Sequence, residues 1–160
     1  MVIRRGLCAL SALVAAAGCS AGGQAEPGAR DAGRPSGSCA SAVSREALPA
    51  WARAGFSDDG SGIPHVFGER GDILAVLFEY PPKASADPDE SNKILWVSRL
   101  PQEPMRPLTI EARLDGTTTS VTREITGGAG PSSVSLPTAG CWRLTLSWSG
   151  HTDTMALTFV

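Results

Sequence analysis

At 160 residues, with 14 Lys and Arg against 16 Asp and Glu and a formal charge of −2, the chain is long enough for one well-buried domain and too short for two. The weakly acidic balance, with no block of Lys or Arg anywhere, excludes an electrostatic nucleic-acid binder and a polybasic membrane contact.

The chain opens with Arg4 and Arg5, an apolar run from Leu7 to Ala17, and Ala16-Ala17-Gly18-Cys19. The run is too short to span a bilayer and ends in small residues, the pattern of a cleaved secretory signal over 1–18. Ending at Cys19, it resembles the precursors of bacterial lipoproteins. That resemblance implies cleavage before Cys19, acylation of the cysteine, and a protein held by its lipid on the outer face of the bacterial cytoplasmic membrane. The alternative is an ordinary signal peptide that leaves Cys19 a plain thiol, a reactive liability in an exported chain.

After the lipidated cysteine, the rest of 19–38 is dominated by Gly, Ala, Ser and Pro and has no bulky aliphatic or aromatic side chain, and it cannot bury enough apolar surface to fold. As a flexible tether it has an end-to-end distance of roughly 25 Å, which holds the domain over 39–160 clear of the headgroups. Of the four cysteines, Cys8 leaves with the signal and Cys19 takes the lipid. Cys39 and Cys141 remain as one pair in an oxidising compartment. A bridge between them would close a loop of about 100 residues, for which chain-entropy reasoning gives about 4.7 kcal/mol.

The domain reads as short strands separated by turns. Leu48 to Ala54 suggests one helical turn and Ile63 to Phe67 a weak strand. Asp72 to Tyr80 and Lys93 to Arg99 are near-continuous apolar runs, as expected of central strands covered on both faces. Leu108 to Leu114 alternates, with Leu108, Ile110, Ala112 and Leu114 inward; Thr118 to Ile125, with Arg123 between Val121 and Ile125, reads as an edge strand. Ser133 to Leu136 is a short strand. In Cys141 to Trp148 the apolar face is Trp142, Leu144, Leu146 and Trp148, and Cys141 lies on the other face, so its bridge is expected outside the main core. Ser149-Gly150 turns the chain into Thr152 to Val160, with Met155, Leu157 and Phe159 inward. About seven strands at this spacing predict an antiparallel β-sandwich, immunoglobulin-like in the broad sense, with a small β-barrel as the alternative.

Several runs carry a closer resemblance: Gly68 to Leu77, Asn92 to Val97, Pro131-Ser132, Leu136-Pro137, Gly140-Cys141-Trp142 and Trp148 to Asp153. Over roughly residues 39 to 160 the chain is similar to a family of uncharacterised actinobacterial lipoproteins. The resemblance implies an immunoglobulin-like domain outside the membrane and brings no activity, cofactor or catalytic residue with it.

Candidate chemistry is sparse. The two histidines, His65 and His151, belong to no zinc-protease, nucleophile-elbow or phosphate-loop motif. His151 beside a hairpin turn, with Asp153 two residues on, could support a metal or a proton relay; a solvated turn histidine is the plainer reading. His65 reads as a loop or edge residue. Asp58-Asp59-Gly60 and Asp87 to Glu90 lack the ligand spacing of a calcium loop and read as acidic turns. Trp51 either caps the sandwich or offers a stacking platform. The polar connection Pro81 to Asn92 is longer than a hairpin needs, and Asn92-Lys93 could tie its return by side-chain hydrogen bonds.

No enzyme, cofactor or metal is expected. The favoured function is a membrane-tethered interaction domain meeting an envelope protein or glycan; the alternative is a small-ligand or metal-binding lipoprotein. Convergence of His151 and Asp153 with Asp87 or Glu90 in one concavity would favour the second, and dispersal the first.

Overall fold

Side chains alternate across a strand, and in this chain that alternation builds two layers. The computed structural model describes residues 41–160, all within the unit Pro35–Val160. The signal segment 1–18, the tether 19–38, Cys19 and Cys39 lie outside the described residues. The strands are β1 (His65–Phe67), β2 (Ile73–Leu77), β3 (Asn92–Ser98), β4 (Leu108–Leu114), β5 (Ser120–Ile125), β6 (Pro131–Val134), β7 (Gly140–Trp148) and β8 (His151–Phe159). They form two antiparallel four-stranded sheets, β1-β2-β3-β6 and β5-β4-β7-β8. The protein is therefore a β-sandwich, and since no strand pairs across the two sheets, it is not a closed barrel.

The second sheet follows the sequence pattern closely. Trp142, Leu144, Leu146 and Trp148 of β7 are buried, with Leu114, Ala112 and Ile110 of β4 as register partners of the first three. Leu108, Ile110 and Ala112 point into the same core while Glu111 and Arg113 are exposed. Each large apolar side chain so buried is worth about 1.5–3 kcal/mol. Strand β5 lies at the edge of this sheet, its side chains alternating between exposed and half-buried.

In the first sheet β2 is buried at all five positions. Ile73, Ala75 and Leu77 enter the core between the sheets, whereas Leu74 and Val76 face outward under Leu48 and Ala52, with Trp51, Phe56 and Ile63 beside them. The segment before β1 thus roofs the outer face, and its helical turn is a single 3-10 turn, Ala50–Ala52. Gly60 permits this close fit: its φ is +74°, and a Cβ there would lie 2.5 Å from Leu48 Cδ1. Strand β2 ends sooner than expected, at Leu77; beyond it the chain bends, leaving Phe78 and Tyr80 about half exposed. Strand β6 starts two residues before its expected position, because Pro131 can open an edge strand where no ladder donor is required.

Three of the four tryptophans are deep core. Trp96 donates its indole N–H to Ser132 Oγ at 2.9 Å, and Trp142 donates to the Thr138 carbonyl at 2.9 Å. Trp148 is buried as well, and its indole N–H has no partner among the described residues.

Candidate functional site

The β7–β8 hairpin turns on Ser149 and Gly150, both at positive φ (45° and 80°), the geometry of a two-residue type I′ turn. That turn sets His151 opposite Trp148 in the register, with ring centroids 5.7 Å apart. His151 is half-buried.

Two residues on, Asp153 does something else. It shares the inward parity of Met155, Leu157 and Phe159 and is 1% exposed. Its Oδ1 accepts the backbone N–H of Arg70 at 2.9 Å and of Thr154 at 2.8 Å, and its Oδ2 accepts that of Asp72 at 3.0 Å. The carboxylate therefore ties the β1–β2 turn of one sheet to the edge strand of the other. Gly68 lies so close that an added Cβ would fall 2.2 Å from Asp153 Oδ2. The Glu69 N–H bonds to the Thr154 carbonyl at 2.7 Å and Arg70 Nη1 to that of Thr152 at 3.1 Å, covering the free edge of β8 with the same turn. With both oxygens engaged by main-chain donors, Asp153 is a structural staple, and no hydrogen bond joins it to His151 among the described residues, as the alternative reading of a relay or metal pair would need.

The other candidates are also dispersed. Asp87 Oδ1 accepts the N–H of Asp89 at 2.9 Å, and Glu90 Oε2 accepts the Ser85 hydroxyl at 2.9 Å, so both hold turns within their own loop. That loop is pinned. Asn92, 2% exposed, accepts the Lys83 N–H at 2.7 Å and donates to the Lys83 and Val134 carbonyls at 2.8 and 3.1 Å, the tie its position had suggested. Ala84 and Pro82 exchange backbone bonds with Val160, fastening the loop to the end of β8. A shallow concavity of about 390 Å³ lies against it, lined by Glu79, Lys83, Asp89 and Glu90, but neither His151 nor Asp153 reaches it.

Trp51 packs edge-on to Phe67, 6.5 Å between centroids, and joins the cluster over Leu74 and Val76. It caps the outer face of the first sheet. His65 lies in the edge strand β1 but is 1% exposed, because the same roof covers it. Its Nδ1 donates to the Ile63 carbonyl at 2.9 Å and its Nε2 has no partner among the described residues. Asp58 and Asp59 cap their own turn through the N–H groups of Gly60 and Ser61; hydrogen bonds from Ser61 hold the Asp59 carboxyl below the usual carboxylate range. Among the described residues no three His, Cys, Asp or Glu side chains are grouped to hold a metal.

What sequence reasoning missed is a cleft of about 470 Å³ at one end of the sandwich, between the β7–β8 hairpin and the loop leading into β4. Glu103, Arg106, Ser147, Trp148, Ser149 and His151 line it. The loop is fixed to the hairpin where the Glu103 N–H donates to Ser149 Oγ at 2.9 Å, and to the β5–β6 connection through Gln102 and Ala129. Nothing in the irregular Pro101 to Pro107 run marks it as a neighbour of His151, although the charge pair Glu103 and Arg106, spaced for one turn, was a usable sign.

For His151 these surroundings give a direct expectation. His151→Ala should change stability by about 0.5 kcal/mol or less. Thermal melts with zinc, copper, calcium or chelator should overlay, whereas a bound metal at a hundredfold excess over its Kd would add about 2.7 kcal/mol. A metal-dependent rise in Tm that His151→Ala abolishes would contradict this.

Comparison with protein-family models, with curated proteins and with solved structures finds no match to this chain.

Proposed function

We propose that this protein is a lipid-anchored, extracytoplasmic binding domain without enzymatic activity, akin to the actinobacterial lipoproteins it resembles. Cys19 carries the acyl anchor, residues 20–38 are the tether, and the β-sandwich meets an envelope protein or glycan beyond the outer face of the cytoplasmic membrane. The observation that carries the non-enzymatic part is the dispersal of the candidate groups. Asp153 is spent on three main-chain donors, Asp87 and Glu90 serve their own loop, and His65 is buried under the roof of the first sheet. Among the described residues no nucleophile, base and orienting acid come together, the arrangement that triad-type covalent catalysis needs. The same dispersal counts against a metal site built from His151, Asp153 and the acidic loop.

The anchor is tested by Cys19→Ser. The variant should leave the membrane fraction or accumulate as uncut precursor, while mass spectrometry of the native protein should find an acylated chain starting at Cys19. An unacylated mature chain that starts elsewhere would sink the lipoprotein reading.

A Cys39–Cys141 disulfide belongs to the same proposal. Ser41 Oγ accepts the Ala156 N–H of β8 at 2.8 Å, and Thr158, two residues further along β8, is the register partner of Cys141. Two residues of extended chain span roughly 7 Å, so Cys39 has the reach to meet Cys141. Intact mass under non-reducing conditions should show one intramolecular bridge, and reduction should lower stability by about 2–4 kcal/mol. Two free thiols in protein taken from the envelope would disprove it.

A further inference from the structure

We propose that the cleft between the β7–β8 hairpin and the 102–107 loop binds an oxyanion, a carboxylate or phosphate group of its ligand. This rests on reading the domain as a binding module, and it names the chemistry that the module takes.

Three side chains that can donate hydrogen bonds, Arg106, Ser149 and His151, line this cleft. Arg106 gives its Nε to Glu103 Oε2 at 3.1 Å, and its two terminal nitrogens bond to nothing among the described residues. That leaves the end of the guanidinium fork open to solvent, the side chain being 68% exposed; the fork is the group best shaped to grip two oxygens of one carboxylate or phosphate. The Glu103 carboxylate, through Nε, fixes the orientation of the fork without occupying its end. Ser149 Oγ accepts the Glu103 N–H, which leaves its own hydroxyl hydrogen to donate. The half-buried His151 ring makes no hydrogen bond among the described residues and packs on Trp148, so its ring nitrogens are left to serve a ligand. Glu103, the one acidic side chain in the lining, gives Oε2 to Arg106, and Arg106, Ser149 and His151 remain as donors toward one cleft, the complement of an oxyanion.

The frame that presents these groups is held rigidly. The hairpin turn is closed by Ser149 and Gly150, the loop is bonded to it through Glu103, and the loop's other side is tied to Ala129 through Gln102 at 2.6 Å. Arg106 and His151 come from segments far apart in sequence, yet both line the same cleft. A site fixed in this way loses little entropy on binding.

The test is an amide and indole NMR titration of the mature chain, residues 19–160, kept soluble by Cys19→Ser. Sodium phosphate and sodium acetate are the probes, with sodium chloride at matched ionic strength as the control. Saturable shifts are expected for residues 102–106 and 147–152 and for the Trp148 indole N–H, with phosphate or acetate and not with chloride. Arg106→Ala should weaken the response roughly tenfold or more, and Arg106→Lys, which keeps the charge and loses the fork, should recover only part of it. Vesicles of phosphatidylglycerol, compared with phosphatidylcholine, separate the sources. Broadening at the cleft by the first alone, without a response to free anions, assigns the oxyanion to a lipid headgroup, and a response to free anions assigns it to a soluble ligand. No saturable change at the cleft in any arm, or the same change in Arg106→Ala with the remaining spectrum native, would overturn the proposal. Failure of Cys19 acylation would leave this titration untouched, so the two ideas fail separately.

Discussion

Asp153→Ala is expected to destabilise the domain by about 3–5 kcal/mol, because it strips three main-chain donors of a charged acceptor at a buried site, where each such bond is worth about 1.5–3 kcal/mol. Two of the three donors, Arg70 and Asp72, belong to the β1–β2 turn of the opposite sheet, so the loss is not confined to β8. In a domain of this size that corresponds to a fall in Tm of roughly 10–20 °C. Asp153→Asn should be intermediate. It keeps an oxygen for Arg70 and Thr154 but turns an amide N–H toward that of Asp72, trading an attraction for a repulsion. Hydrogen exchange gives a second readout, since the amides of Arg70 and Asp72 should lose protection first. If Asp153 were instead a ligand-binding side chain, alanine would leave the melt unchanged, and that outcome would refute the staple.

Gly68→Ala should be nearly as costly, and for a reason that lies in its neighbour. The Gly68 backbone is not in the left-handed region, so conformation alone does not demand glycine there. The demand is steric, since the new methyl would fall 2.2 Å from Asp153 Oδ2 and 2.4 Å from Cγ, and the carboxylate cannot retreat without releasing its donors. Overpacking of this kind costs typically about 1–3 kcal/mol, with broken hydrogen bonds added. The two substitutions should therefore couple. In the double variant Gly68→Ala, Asp153→Ala the clash has no partner, and the combined loss should fall short of the sum of the single losses by about 1–2 kcal/mol. Chemical denaturation of the four proteins of the cycle measures this, and strict additivity would show that Gly68 is required for something other than the carboxylate.

The exposed surface ion pairs matter far less. Asp115 and Arg143 form an exposed ion pair at 2.9 Å across β7 and the turn after β4, and the Arg143 hydrogen bond holds the Asp115 carboxyl below the usual carboxylate range. A depressed carboxyl contributes stability above its unfolded pKa of about 3.9 and loses it as the pH falls toward its folded value. Exposure and salt screening keep such a contribution small.

Alternation was the most legible feature of the sequence. The inward sets of β4 and β7 could be read residue by residue, as could the inward residues of β8 from Met155 to Phe159, because a period of two encodes the buried face within the strand itself. The apolar run of β2 announced its double burial, though not that the segment from Leu48 to Ile63 would be the cover. Extending the β8 parity back by one more step would have put Asp153 in the interior and marked it as a bonded structural carboxylate.

Composition and local pattern determined the all-β class, the strand positions to within a few residues, the hairpin at Ser149-Gly150 and the expectation of an exported, tethered chain. Only the stacking of the two sheets decided which turns meet. It joined Asp153 to a turn 81 to 83 residues away, set the Pro101 to Pro107 loop beside His151, and closed the Pro81 to Asn92 loop onto the end of β8. Loops carry no periodicity that names their neighbours, and a hydrogen bond between two of them depends on the placement of every strand between, so this part of the molecule is written in the tertiary structure alone.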